Sequence, residues 1–418
     1  MFSQIGQTIF ENEVVAQTSD FNMGLEVEMH RSSNQGWISE APTPAGIRLD
    51  SPWITKDFTE TMTEVVTPAA SNSRDAIHYL YSIQNALRGS LAPGEVLWPL
   101  SMPPVFDDPD KIEIAYTTPK KHAYLEGVLA NMGRVNKGLP CGAHISLSID
   151  DRVVNLIWNQ LSDQFASKVE LKNHLYILLA QGFLRYRWVL TYLFGASPVA
   201  EAGYFDASDE QPTHPVRCLR QSHYGFDMAY RGDYSTVQSY VDRIEAGVAD
   251  GSIIDTAQFH GAIRLKSRGE LHDMATDGVD YIELRMLDLD PFATTGIRLA
   301  TLYFLRIMSS YFIMTSGLPT KEVNKVIARA DAMQETVATE DPSAHTAFEA
   351  EGLAFLNQLY RFANQIQLGP EYLEALEEMI DRFENPTKTL SGQLVQHLVD
   401  GSLLAYVQNV PIIIKTVP

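Results

Sequence analysis

The chain has 418 residues, 45% hydrophobic and 20% charged, a composition able to bury a large core without disulfide or metal staples. Lys and Arg number 32 against 52 Asp and Glu, a net charge of −20, which argues against broad nucleic-acid binding or docking on anionic lipid. Cys141 and Cys218 have neither zinc-like spacing nor a secretory framework.

In chain order, the N-terminus MFSQIGQTIFENE lacks a basic region and a long apolar run, so no signal peptide is expected. The expected location is the cytoplasm, where both thiols stay reduced. Strand-like segments fall at 24–30, 63–68, 142–149 and 279–289, and helical patterns at 73–89, 171–195 and 235–251. The apolar stretch 174–200 is broken by Arg185 and Arg187. Its uncharged runs are shorter than the roughly 18–20 residues of a membrane span, so it reads as a buried helix or helix pair. After Pro291 the pattern is helical through 296–315, 321–337, 343–366, 370–384 and 389–401, with surface loops at 316–320 and 340–345. Strands interleaved with helices and followed by a helical tail predict an α+β fold. With no internal repeat or linker, 1–418 reads as one unit, with a sheet-bearing part over 1–295 and a mainly helical part over 296–418.

Read with period two, three strands separate their residues by chemistry. Glu26, Glu28 and His30 share a face opposite Leu25, Val27 and Met29. His144, Ser146 and Ser148 oppose Ala143, Ile145, Leu147 and Ile149, while Tyr281, Glu283 and Arg285 oppose Ile282, Leu284 and Met286. Two readings follow. One is a one-sided antiparallel sheet with a solvated face. The other is a lining of carboxylate, imidazole and guanidinium that suits Mg²⁺ or Mn²⁺ holding phosphate, since clustered carboxylates repel unless a cation lies between them. The absence of lysine from these faces favours the second.

Further ionisable groups are Asp57, Glu60, Glu64 and Arg220. GAIRLKSRGE (261–270), with Arg264, Lys266 and Arg268, is a compact basic patch in an acidic chain, either an exposed turn or a clamp for phosphate charge. No P-loop, GxGxxG or GxSxG pattern occurs. His122, His174 and His272 read as structural.

The blocks GLEVEMHR (24–31), WITKDFTETMTEVVTP (53–68), LWPLSMPP (97–104), GAHISLS (142–148), RWVLTYLFGASP (187–198), GAIRLKSRGE (261–270), YIELRMLDLDPF (281–292) and ENPTKTLSGQLVQHLVDG (384–401) occur in this order. Together they resemble bacterial glutamate–cysteine ligase (γ-glutamylcysteine synthetase), of the glutamine-synthetase-like carboxylate–amine ligase superfamily. The resemblance implies a curved, mainly antiparallel sheet forming a cup-shaped active site surrounded by helices. It implies ATP-dependent amide formation between the γ-carboxylate of glutamate and the amine of cysteine, through an acyl phosphate. By the same resemblance, Glu28 and Glu64 hold one Mg²⁺, Glu26, His144 and Glu283 a second, and Glu26, Asp57 and Glu283 a third. Arg285 and Glu283 are then catalytic, Arg264, Arg268 and Arg285 meet ATP, and Arg220, Tyr124, Ser146 and Phe226 meet the amino acids. The implied partners are small molecules, with no nucleic acid and no membrane.

Four positions depart from the best-known branch of the family. Gly138 stands where a glutamine is usual, Ser146 for an asparagine, His223 for an aspartate and Phe226 for a tyrosine. All fall where the amino acids are recognised, so the expectation includes an altered choice of acid or amine with the ATP and metal chemistry retained.

Overall fold

The computed structural model describes residues 2–12, 14, 19, 21–44, 47, 51–225 and 230–409. Seven strands form its sheet: β1 (Asn22–Ser33), β2 (Ile54–Lys56), β3 (Met62–Val66), β4 (Glu95–Leu97), β5 (Ala143–Ser148), β6 (Ile263–Lys266) and β7 (Tyr281–Leu287). They lie in the order β2-β3-β1-β5-β7-β6, with β4 pairing the far end of β1. Every strand-to-strand ladder is antiparallel, as the α+β reading requires.

The register explains why one face carries the chemistry. Glu26 on β1 stands opposite His144 on β5, and Glu28 opposite Glu64 on β3. Glu283 on β7 stands between Ser146 of β5 and Arg264 of β6. Residues of the other parity, Leu25, Val27, Ile145, Leu147, Ile282 and Leu284, are each at most 1% exposed. They belong to a core that runs from Ile5 to Val407. Helix 73–89 packs on β1 and β3, helix 168–185 on β6 and β7, and helix 187–194 on β7.

Between β5 and β7 the register slips: Ala143 pairs Leu287 whereas Ile145 pairs Leu284. Arg285 and Met286 therefore share the stretch opposite His144, a β-bulge of the kind that re-aims a side chain. Nothing in the spacing of YIELRML announces it.

The helical readings hold with shifted ends. Helix Ser73–Gly89 matches its expected span, and its Asn72 cap accepts from the Asp75 amide at 2.9 Å. The 171–195 segment is a pair, Lys168–Arg185 and Arg187–Phe194, hinged at Tyr186 and almost wholly buried. Among the described residues no helix is long and apolar enough to cross a membrane. The reading 343–366 starts too early, because helix Glu349–Gln365 follows a turn in which Glu340 accepts from Thr346. The reading 389–401 is too long: helix Leu390–Leu394 passes into a short 3-10 turn, and Asp400 and Gly401 then adopt positive φ. Helices Gln4–Glu11, Pro119–Met132 and Asp151–Leu161 were not expected, although each starts at a Ser, Thr or Asp cap. β2 and β4, with three residues each, are too short to show alternation.

Candidate active site

The ionisable face of the sheet floors a cavity of about 450 Å³. Glu26, Glu28, Asp57, Glu64, His144, Glu283 and Arg285 line it, joined by Arg220, Arg264, Lys266, Tyr124 and Gly138. The face is therefore recessed on a cavity floor and still reached by solvent, with the Glu26 side chain 28% exposed against 7% for Glu28.

At its centre Glu26, His144 and Glu283 each place a ligand-type atom within 4.8 Å of the others, a spacing that one cation can span. His144 turns Nδ1 to the carboxylates, 2.6 Å from Glu26 Oε1 and 3.7 Å from Glu28 Oε1. Glu28 is held by the backbone amide of Gly142, which donates to its Oε2 at 2.7 Å. Glu283 pairs with Arg285 and, at 3.2 Å, with Lys266.

The proton distribution bears on whether a divalent cation fits. Burial, then the charges of Glu28 and Glu26, push the Asp57 carboxyl up to about 7. Burial with Glu26, Asp57 and Glu28 holds Glu64 well above the usual carboxylate range. Burial would raise Glu26 and Glu283 too. At Glu26 the His144 ring outweighs it, and at Glu283 Arg285 and Lys266 do, so both carboxyls sit below their ordinary values. Asp57 and Glu64 thus hold their protons more tightly than ordinary carboxyls, because burial and the neighbouring carboxylates disfavour their charged forms. Hard divalent ions favour such an oxygen set, and a cation there would release those protons. The donor set fits Mg²⁺ or Mn²⁺.

Other expected residues are placed less uniformly. His30 shares the parity of Glu26 and Glu28 but does not reach the cavity. Its ring is buried between Thr61 Oγ1 at 3.1 Å and the Leu139 carbonyl at 2.7 Å, and burial lowers its pKa to about 4. Glu60 accepts from Lys56, Tyr116 and Thr43 outside the cavity. In the basic patch, Arg264 and Lys266 lie on edge strand β6 and line the cavity, while Arg268 is exposed and outside it. Arg220 reaches the cavity, yet its guanidinium already donates to the carbonyls of Leu287 at 3.1 Å and Arg285 at 3.3 Å. Ser146 and His223 are not in the lining; His223 sits on the surface, 2.5 Å from Glu335. Phe226 lies outside the described residues.

Apart from Tyr124, which the resemblance names, sequence reasoning missed much of the wall. Helix 119–132 presents Lys121, Tyr124, Leu125, Val128 and Met132 to the cavity, a stripe at helical spacing. Reading that helix from its Thr118-Pro119 start would have revealed it. Tyr230, Tyr234, Phe259, Leu184 and Ile327 form an apolar arm, with Arg187 and Arg231 around Asp331 at 3.3 and 3.7 Å. His260 also lines the cavity, its Nδ1 2.6 Å from the Gln258 carbonyl. These residues come from loops and helices distant in sequence and carry no local signature.

A family model described as glutamate–cysteine ligase matches residues 7–254 and 233–334. The chain belongs to the glutamate–cysteine ligase family. It is 31% identical over 399 residues to the glutathione biosynthesis bifunctional protein GshAB of Pasteurella multocida, covering 94% of this chain and 52% of that protein. The Enterococcus faecalis protein of the same name is 32% identical over 376 residues, covering 89% and 49%. The chain thus spans about half the length of these curated relatives. The crystal structure of a bifunctional glutathione synthetase from Pasteurella multocida superposes with a TM-score of 0.86 at 27% identity, covering 98% of this chain and 53% of that one. The fold also matches the Francisella tularensis glutamate–cysteine ligase, solved in complex with AMP, with a TM-score of 0.82 at 20% identity over 93% of this chain and 87% of that one.

Of the departures from the best-known branch, Gly138 is the one seen to line the cavity. A Cβ there would lie 2.4 Å from Phe58 Cε1, so the Phe58 ring occupies the space a longer side chain would need. For the ATP-dependent ligation proposed below, we expect Gly138→Ala to displace that ring and raise the KM for an amino-acid substrate about tenfold, with the KM for ATP within twofold of wild type. Steady-state kinetics with each substrate varied in turn checks this, and an equal rise in both constants would contradict it.

Proposed function

We propose that this chain joins the γ-carboxylate of glutamate to the amine of cysteine at the expense of ATP. The observation that carries this is the meeting of Glu26, His144 and Glu283 with Arg285, Arg264 and Lys266 in one cavity. A γ-carboxylate oxygen attacks the γ-phosphorus of ATP, the bond to the ADP oxygen breaks, and an acyl phosphate forms. The cysteine nitrogen then attacks the acyl carbon, phosphate leaves, and the amide remains. Such chemistry asks a protein mainly for positioning and for neutralisation of developing charge.

Each side chain has a part in this. Glu26, His144 and Glu283 would hold one divalent cation, with Glu28, Asp57 and Glu64 available for others. A cation bound there supplies positive charge to the phosphate oxygens and orients them. Arg285, anchored by Glu283, offers two directed N–H bonds to the transferring phosphoryl group. Arg264 and Lys266 on the rim meet the remaining phosphate charge. Tyr124, on the cavity wall, would meet an amino-acid substrate; burial pushes its phenol up to about 12, so it is a hydrogen-bond donor at neutral pH. Arg220, whose Nη2 lies 3.5 Å from His144 Nε2, would face a substrate carboxylate.

The names of the relatives, glutathione biosynthesis proteins and a glutamate–cysteine ligase crystallised with AMP, favour glutamate, cysteine and an adenine nucleotide over another substrate pair. The continuous core supports reading 1–418 as one catalytic unit. Two buried free thiols suit the cytoplasm, where thiols stay reduced.

The test is direct. The chain is incubated with ATP, Mg²⁺, glutamate and cysteine, and phosphate release and product mass are followed together. One dipeptide per phosphate, dependent on both amino acids, is the expected result. Phosphate release indifferent to the amino acids, or no product, would overturn the reading.

A further inference from the structure

Asp288 follows β7 directly, is not in the cavity lining, and has a side chain with no solvent exposure. Its Oδ2 accepts from the Ala196 amide at 2.8 Å, the Ser197 hydroxyl at 2.7 Å and the Cys218 thiol at 3.2 Å. Its Oδ1 makes no hydrogen bond and faces Arg220 Nη1 at 3.5 Å. The same guanidinium donates to the carbonyls of Arg285, in the bulge, and Leu287, just beyond it, and brings Nη2 within 3.5 Å of His144 Nε2. The backbone makes room for it: a Cβ on Gly142 would lie 1.9 Å from Arg220 Nη2. A permanent positive charge is therefore built in behind the imidazole whose other nitrogen faces the carboxylates. Uncompensated, it would repel any cation those carboxylates hold, because charges this close interact strongly in a partly desolvated site.

We propose that Asp288 is a positioning and charge-balancing residue for the cation centre, anchoring and neutralising Arg220 so that a guanidinium can tie down the β7 bulge beside His144 without expelling the cation. This rests on reading Glu26, His144 and Glu283 as a cation site. Asp288 acts through Arg220 and touches no substrate.

The test uses the full chain and Mn²⁺ alone, with free Mn²⁺ followed by electron paramagnetic resonance. Asp288→Asn keeps an oxygen for Ala196 and Ser197 and removes the charge. It should weaken Mn²⁺ binding about tenfold, since one unbalanced positive charge then lies beside the site. Adding Arg220→Met removes that charge, and the double variant should bind Mn²⁺ within about twofold of Arg220→Met alone. A merely structural Asp288 would weaken binding equally in both backgrounds, and that result, or unchanged affinity in Asp288→Asn, overturns the proposal. If circular dichroism shows that Asp288→Asn does not fold, Ser197→Ala takes its place. It loosens Asp288 without removing charge and should weaken Mn²⁺ about threefold; unchanged affinity overturns the proposal. Wild-type chain that binds no Mn²⁺ sinks the cation reading and this inference together. Mn²⁺ binding with the expected variant pattern but no dipeptide formation would sink the ligase reading alone.

Discussion

Glu283→Gln is expected to reduce ATP-dependent turnover by on the order of 10²–10³-fold while the chain still folds. Glutamine keeps the shape and one acceptor oxygen but removes the anion shared by Arg285, Lys266 and the candidate cation. Those two cations keep partial access to solvent, at 18% and 29% side-chain exposure, so their loss of a partner costs less than in a sealed core. Glu26→Gln should behave similarly, since it removes the carboxylate 2.6 Å from His144 at the same centre. Phosphate release measured beside a thermal melt separates chemistry from folding. Near-wild-type release from either variant would remove the cation assignment, and a collapse of the melt would make the effect one of stability.

Arg285→Lys should prove a severe change in spite of the retained charge. The guanidinium is held by Glu283, and its own backbone carbonyl is fixed by Arg220 across the bulge from His144. Burial works against its charge, but Glu283, Glu26 and Glu28 more than offset that and hold its pKa above the ordinary arginine value. What lysine loses is geometry: an ammonium is a point charge, whereas the planar fork makes two directed bonds. Phosphoryl transfer develops charge on oxygens that are not so disposed in the ground state, so the loss belongs mainly to kcat. We expect kcat to fall about 10²-fold with the KM for ATP changed less than threefold. A rise in KM at constant kcat would place Arg285 in ground-state binding.

Much of this centre is legible as alternation. Glu26 and Glu28, His144, and Glu283 with Arg285 declare a shared face because strand side chains alternate strictly, and the ladder then sets Glu26 against His144. His30 obeys the same parity and misleads, because Leu139 and Thr61 close over it. No local pattern encodes that closure. The bulge in β7 is likewise a property of two strands, invisible in either alone. Arg220 announces itself by residue type, yet its bond partners Asp288, Leu287 and Arg285 lie more than 60 residues away. Helix 119–132 escaped because its cavity-facing stripe mixes Lys121 and Tyr124 with aliphatic residues, which blurs the apolar periodicity.

The spread of the ligand set along the chain also bears on how the protein reaches its native state. Glu26 and His144 meet across 118 residues, and Glu283 joins only when β7 pairs with β5. Contacts of such separation form slowly, because loop closure must precede any gain from them. A nascent chain therefore has no complete cation site until β7 has been synthesised and docked, and a cation cannot serve as an early nucleus. A divalent cation held by Glu26, His144 and Glu283 would bind the native state far better than the unfolded one, adding about 2.7 kcal/mol at a hundredfold excess over its Kd. Divalent ion supply would then act on the lifetime of the finished fold and leave the search for it untouched.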